Sequence, residues 1–191
     1  MYLTEVADAR AYGCVELLAN NSVKSFLEKM ENPVSNLINA GCYIFNRNVI
    51  DNIPKGKVVS VERDTFPSLL NAGTKVYGFL DNSYWLDIGT PAALVKASVD
   101  LVTGVIKSSA TLEHTGDKIV APSAVIDSSA LINNGSVIEG EVVVESNTQI
   151  SGSIIGKAAK IGENCKIIDS IIAPGTQIDA GMVVISNYLG F

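Results

Sequence analysis

From Val120 onward an aliphatic residue recurs every six positions, at Val120, Ile126, Ile132, Ile138, Val144 and Ile150. The series shortens to a step of five at Ile155, resumes at Ile161 and Ile167, shortens again at Ile172, and continues to Ile178 and Val184. A period of six fits neither the 3.6 of a helix nor the 2 of an ordinary strand. Short strands that turn a corner after each hexapeptide do satisfy it. Three hexapeptides close one triangular coil, the periodic side chain points inward, and each coil buries its stripe only against the next. Twelve such positions predict four coils, with equivalent residues eighteen positions apart. Gly135, Gly140, Asn147, Gly152, Gly156, Gly162, Asn164, Gly175 and Gly181 suit the corners, where positive φ or a tight approach is needed. A sandwich, with period two and longer strands, does not reproduce the spacing.

Before this repeat the texture differs. Val15 to Leu18, Ser22 to Leu27, Cys42 to Phe45 and Val76 to Leu80 have the β-branched and aromatic content of short strands. A helix is predicted from Ser60 to Asn71, with Ser60 as cap and Gly73 just past its end. A second runs from Pro91 to Val102, capped by Thr90, with Leu94, Val95, Val99 and Val102 forming an apolar stripe. The expected organisation is an α/β segment over 1–104, a linker over 105–118 and the repeat over 119–191. Resemblance to hexapeptide-repeat proteins implies that the repeat is a left-handed parallel β-helix, a hand that spacing alone does not define.

Composition narrows the function classes. Hydrophobic residues make up 47% of the chain, enough for a real core. Lys and Arg number 14 against 20 Asp and Glu, without a basic cluster, so nucleic acid is not an expected partner. No apolar run approaches the roughly 18 residues of a spanning helix, and a membrane is not expected either. Cys14, Cys42 and Cys165 are odd in number and widely spaced, which reads as reduced thiols. No apolar signal-peptide core lies in Met1 to Arg10, so the expected location is cytoplasmic.

Four clusters in the first part carry chemistry. Gly13, at the mouth of an apolar strand in Tyr12-Gly13-Cys14-Val15, fits either a close backbone approach to a ligand or a simple bulge. Glu28 and Lys29 end a strand, where neighbours point to opposite faces, so one of them faces a cleft or both are a solvated strand end. Asn39 offers a donor and an acceptor suited to sugar hydroxyls, with Ala40 and Gly41 leaving room; the alternative is a turn that uses Asn39 and Gly41 for backbone conformation. Asp87, set among Tyr84, Trp85, Leu86 and Ile88 before Gly89, is a carboxylate costly to bury without a partner. A lone carboxylate suits Mg²⁺, whose shell is completed by waters and phosphate oxygens, whereas the plainer role is an anion near a helix start.

Together these clusters resemble the sugar-1-phosphate nucleotidyltransferases, most closely the bacterial mannose-1-phosphate guanylyltransferases. The matching segments are Tyr12 to Val15, Phe26 to Lys29, Ile38 to Phe45, Val61-Glu62-Arg63-Asp64-Thr65-Phe66-Pro67, and Trp85 to Pro91, with the hexapeptide tail behind them. The resemblance implies a partial Rossmann-like α/β nucleotidyltransferase domain followed by the β-helix. It also implies transfer of a nucleoside monophosphate from an NTP, here GTP, to a sugar 1-phosphate, here mannose 1-phosphate, with release of pyrophosphate. In that scheme Lys29 contacts the sugar phosphate as the catalytic cation. Glu28 and Asn39 bind sugar hydroxyls, Gly13 and Gly41 make room for the sugar nucleotide, and Asp87 holds Mg²⁺. Met30 stands where the family has Pro after its Glu-Lys pair. The family's GxGTRLxPxT phosphate loop does not occur in these 191 residues. The chain is therefore expected to be the sugar-binding half plus the β-helix. Alone it should be inactive, with an unpaired sheet edge and reduced stability over residues 1–100 unless an N-terminal half completes it.

Two other classes compete. Hexapeptide acyltransferases lodge a histidine in their coils, but the sole histidine, His114, precedes the repeat. A non-catalytic assembly or regulatory subunit is the stronger alternative, since β-helices pack against copies of themselves and a homo-oligomer is expected in either case.

Overall fold

The structure is a computed structural model and describes residues 1–109 and 116–191. His114 and the middle of the expected linker lie outside the described residues. Two compact units divide between Trp85 and Leu86.

The first unit, Met1–Trp85, is built on a five-stranded sheet in the order β3-β2-β4-β1-β5. The strands are β1 (Tyr2–Glu5), β2 (Gly13–Leu17), β3 (Val23–Glu28), β4 (Leu37–Asn39) and β5 (Phe79–Leu80). All neighbours are antiparallel except β1 and β5. Leu3, Val15, Val23, Phe26 and Phe66 form its buried core. The helix predicted from Ser60 is present, but its first turn is π-helical, Val61–Thr65, and the α-helix proper, α2, is Phe66–Asn71. Its start is capped in both directions: Ser60 Oγ accepts from Arg63 N at 3.1 Å, and Asp64 Oδ2 accepts from Ser60 N at 2.8 Å. Such caps satisfy the orphan donors of a first turn.

Two local expectations change, and three elements arise without one. Cys42 to Phe45 joins no strand; Tyr43 and Phe45 turn onto Phe66 while Ile44 is 95% exposed, so the alternation is real but lacks a neighbouring strand. Of Val76 to Leu80 only Phe79–Leu80 pairs as a strand, preceded by a single bridge from Tyr77 to Ser22. β1, β4 and the short helix α1 (Arg47–Asp51) have no sequence expectation behind them. Three or four residues carry too little periodicity to announce a strand.

The second unit, Leu86–Phe191, contains α3 (Pro91–Val102) and the repeat. Thr90 Oγ1 accepts from Ala93 N at 3.2 Å and Pro91 takes the first helical position, as expected. Thirteen short strands follow, β6 (Lys118–Val120) to β18 (Tyr188–Leu189). They stack in parallel into three ladders, β6-β9-β12-β15-β18, β7-β10-β13-β16 and β8-β11-β14-β17. The result is a parallel β-solenoid of about four turns, the architecture of a left-handed β-helix. The aliphatic series lines its interior: Val120, Ile138, Ile155, Ile172 and Leu189 stack in register. Ten of the twelve expected positions are buried, Ile126 is half-buried, and Val120 is 36% exposed at the open end of the stack.

The stride is not uniformly eighteen. It is 18 residues in the first coil and 17 in later ones, as in the bond from Asn147 N to Ser129 Oγ against that from Ser153 N to Ser136 Oγ. Each step of five removes one corner residue and leaves the inward register intact. The corner residues behave as expected by two routes. Gly175 has φ +71°, whereas a Cβ on Gly156 would lie 2.6 Å from Pro174 N, so the neighbouring coil's backbone occupies that space.

Two features of this unit are not visible in the hexad pattern. Ser136, Ser153 and Ser170 are fully buried and form a ladder, each Oγ accepting from the backbone N–H of the equivalent residue one coil on, at 3.1 to 3.2 Å and ending at Asn187. Outside the same face, Ile119, Val137, Ile154, Ile171 and Tyr188 form an apolar ladder, and α3 packs on it at β9 (Ser136–Ile138). Gly135 has no Cβ to strike Val99, whose Cα would lie 2.9 Å away.

Candidate functional site

The β2–β3 hairpin sets Gly13 opposite Glu28. A Cβ on Gly13 would lie 2.6 Å from the Phe26 ring and 2.9 Å from Glu28 Oε2. Gly13 therefore makes room for the Phe26 ring and the Glu28 carboxyl. The hairpin's register irregularity falls between Glu16 and Leu17, so no bulge explains Gly13. Glu28 Oε2 is buried and has no hydrogen-bond partner, the one such side-chain atom among the described residues. A buried carboxylate oxygen without a donor is costly, and a donor is what such a position lacks.

Lys29 stands just beyond β3 with φ +51° and is exposed. The alternation expected for Glu28 and Lys29 does not extend to it, because a left-handed backbone breaks the strand's two-residue period. Its N–H donates to Tyr12 O at 3.0 Å, which fixes the turn. Tyr12 in turn meets Trp85 edge to face at 5.7 Å, and Trp85 Nε1 donates to Ala40 O at 3.3 Å.

Asn39 ends β4 and is 7% exposed. Its Oδ1 accepts from Gly41 N at 3.0 Å, and Gly41 has φ +85° with open space where a Cβ would stand. The turn alternative for Asn39 and Gly41 is thus realised, and the amide also reaches inward. Asn39 Nδ2 donates to Glu62 Oε1 at 2.5 Å and to the Tyr43 hydroxyl, and Tyr43 donates to Glu62 Oε1 at 3.2 Å. Burial, with the negative charges of Glu62 and Glu28 also acting, raises the Tyr43 pKa above its ordinary value, so Tyr43 keeps its proton. Tyr43 packs on Phe66 at 5.0 Å, and Phe66 on Phe26 at 5.4 Å, giving the polar cluster an aromatic floor.

Gly13, Glu28, Asn39 and Gly41 thus lie in one unit around this cluster. Glu62 and Tyr43 are members to which no role was assigned from sequence. Their signals were an acidic residue right after a capped helix start and an aromatic one residue off the Gly41-Cys42 turn, and both are ambiguous without the fold.

Asp87 belongs to the second unit and is exposed. The expectation of a carboxylate trapped among apolar residues is not met, since Ile88 and Tyr84 are themselves largely exposed. A Cβ on Gly89 would lie 3.2 Å from Asp87 Oδ2, so the glycine keeps that carboxylate open. No group of three or more His, Cys, Asp or Glu side chains among the described residues is arranged to hold a metal. Asp87 fits a hard cation only as a single ligand, the manner in which Mg²⁺ is held when substrate oxygens complete its shell. The three cysteines are free thiols, Cys14 and Cys165 buried and Cys42 exposed. Among the described residues no helix is long and apolar enough to cross a membrane.

Comparison with known proteins matches residues 1–104 to the nucleotidyl transferase family and residues 92–188 to the GlmU-like C-terminal hexapeptide family. The chain is 41% identical over 185 residues to a mannose-1-phosphate guanylyltransferase of Mycobacterium tuberculosis, covering 96% of this chain and 47% of that protein. It is 31% identical over 179 residues to a glucose-1-phosphate adenylyltransferase of Clostridium botulinum, covering 87% and 45%. A glucose-1-phosphate adenylyltransferase of Bacillus cytotoxicus is 27% identical over 208 residues, covering 94% and 54%. The chain spans about half the length of these curated relatives.

Proposed function

Because this chain belongs to the nucleotidyl transferase family, we propose that its residues supply the sugar side of a sugar-1-phosphate nucleotidyltransferase, with mannose 1-phosphate and GTP as substrates and GDP-mannose and pyrophosphate as products. The observation that carries this is the orphaned Glu28 Oε2 over Gly13, beside the Asn39, Tyr43 and Glu62 cluster. A buried acceptor lacking a donor suits a ligand rich in hydroxyls. The 41% identity to a mannose-1-phosphate guanylyltransferase supports the choice of sugar and base.

In the proposed reaction a sugar-phosphate oxygen attacks the α-phosphorus of the NTP in line. The new P–O bond forms as the bond to the bridging oxygen breaks, and pyrophosphate leaves with that electron pair. Such transfer needs positioning and charge neutralisation more than a nucleophilic side chain. Exposed Lys29 offers an ammonium to the sugar phosphate, while Glu28 and Asn39 orient the sugar. Mg²⁺, which we assign to Asp87, supplies charge neutralisation at the phosphates when bound. We assign the triphosphate cradle to residues outside these 191, so the chain alone should bind sugar nucleotide without turnover. Exposed outward side chains of the solenoid, among them Val125, Leu131, Val183 and Ile185, favour assembly with a second copy and keep the non-catalytic assembly subunit as a second reading.

The test is pyrophosphate release by the purified chain with Mg²⁺, mannose 1-phosphate and each NTP in turn, beside a titration with GDP-mannose. Binding without turnover is the expected result. Turnover with GTP would refute the assignment of the triphosphate cradle elsewhere, and oligomerisation without any binding would favour the assembly subunit.

A further inference from the structure

The side-chain amide of Asn39 has both of its donors and half of its acceptor capacity spoken for. Two independent partners fix its orientation. Gly41 N is a backbone donor, so the atom facing it must be Oδ1; Glu62 is a carboxylate, so the atom facing it must be Nδ2. One N–H goes to Glu62 Oε1 and the other to the Tyr43 hydroxyl, whose own proton turns to the same Glu62 oxygen. The ring of Asn39, Tyr43 and Glu62 is therefore closed with respect to donors. What the amide has left is one lone pair on Oδ1. The nearby Glu28 Oε2, buried and unpartnered, is likewise an acceptor.

We propose that Glu62 is a positioning and specificity-determining residue: by holding Asn39 Nδ2 it leaves Asn39 and Glu28 presenting acceptors alone, so that the ligand hydroxyls they meet must enter as donors. This corrects the expectation that Asn39 serves a sugar with both a donor and an acceptor, and it rests on the sugar-binding role proposed above. The ligand class follows from the chemistry. A free polyol ring donates from every hydroxyl, whereas an acylated, methylated or fluorinated position offers only an acceptor to an acceptor, which repels.

The experiment is an NMR titration of the 191-residue chain with mannose 1-phosphate and its monodeoxyfluoro analogues, reading both affinity and the Asn39 side-chain amide protons. Wild type should bind the analogue fluorinated at a contacted position at least about tenfold more weakly than the parent, as sites built to pair a hydroxyl reject analogues lacking it. Glu62→Met removes the acceptor at similar length and frees donors on Asn39 and Tyr43. It should shift the Asn39 amide protons and narrow the fluoro discrimination about tenfold. Glu62→Gln, whose carbonyl can still accept, should keep the wild-type pattern. Equal binding of every fluorinated analogue and the parent by wild type would overturn the proposal, as would unmoved amide protons and unchanged discrimination in Glu62→Met. Failure of mannose 1-phosphate to bind wild type at all would instead overturn the sugar-binding role, and the amide shift in Glu62→Met would then stand as the test of Asn39 orientation alone.

Discussion

The two units reach burial by opposite routes. In the solenoid each coil covers its neighbour, so one aliphatic rule repeated down the chain places Ile138, Ile150, Ile155, Ile161, Ile167 and Ile172 out of solvent. In the sheet unit the core joins Leu3, Val15, Phe26 and Phe66, residues brought together from distant points of the chain, while Ile44 and Val58 stand almost wholly in solvent. The first design spreads stability over many equivalent contacts. The second concentrates both its packing and its polar cluster on a few residues, Phe66 and Tyr43 among them, which is where the candidate site lies.

The largest expected effect is in the solenoid. Ile155→Ala removes a fully buried side chain from the middle of its ladder and should cost about 2–5 kcal/mol. The sole tryptophan, Trp85, lies in the first unit, so its fluorescence reports that unit. Ile155→Ala should lower the midpoint followed by far-ultraviolet circular dichroism and leave the Trp85 transition unmoved; a joint shift would break the contrast. In the sheet unit, Gly13→Ala drives a methyl into Phe26 and Glu28. Titration should show GDP-mannose affinity falling about tenfold or more, the order expected when a substrate-pairing group is misplaced, with the solenoid midpoint unchanged.

Ser153→Ala is a smaller and sharper probe of the repeat. It leaves the buried N–H of Ser170 without an acceptor, at a cost of about 1–3 kcal/mol. If thermal denaturation shows no loss, the serine ladder is ornament and the aliphatic stripe alone holds the coils.

The smallest effect is electrostatic. Hydrogen bonds from Arg10 hold the exposed Asp8 carboxyl down to about 2, below its ordinary 3.8. A depressed folded value means that the stabilisation is present above the unfolded value and lost as pH falls from about 4 through about 2. Acid titration followed at Trp85 should show this loss in the sheet unit, and Asp8→Asn should remove it. Ser129 lowers Asp127 in the solenoid in the same sense, so Asp127→Asn should blunt the acid response there. A solenoid indifferent to Asp127→Asn would sharpen the difference between the units.

Legibility follows the same divide. The coils, the inward register and α3 with its Thr90 cap were readable because their signals are local and repeated. β4 and the strandless Cys42 to Phe45 were not, since three to four residues become a strand only if a neighbour is there to pair with them. Gly13, Glu28 and Asn39 were readable as candidates, each with an ordinary turn or strand-end alternative beside it. That Glu28 keeps a buried oxygen without a donor, that Asn39 is pinned by Glu62, and that Asp87 is exposed depended on packing that no spacing encodes. Sequence alone determined the repeat, the bounds and cap of α3, and the residue types available for sugar and phosphate chemistry, because period, caps and composition act over a few neighbouring residues. Only the tertiary structure decided the 17-residue stride as a register, the serine ladder, and the donor and acceptor balance of the site, because hydrogen-bond partners 17 to 23 residues apart meet only once the chain has folded.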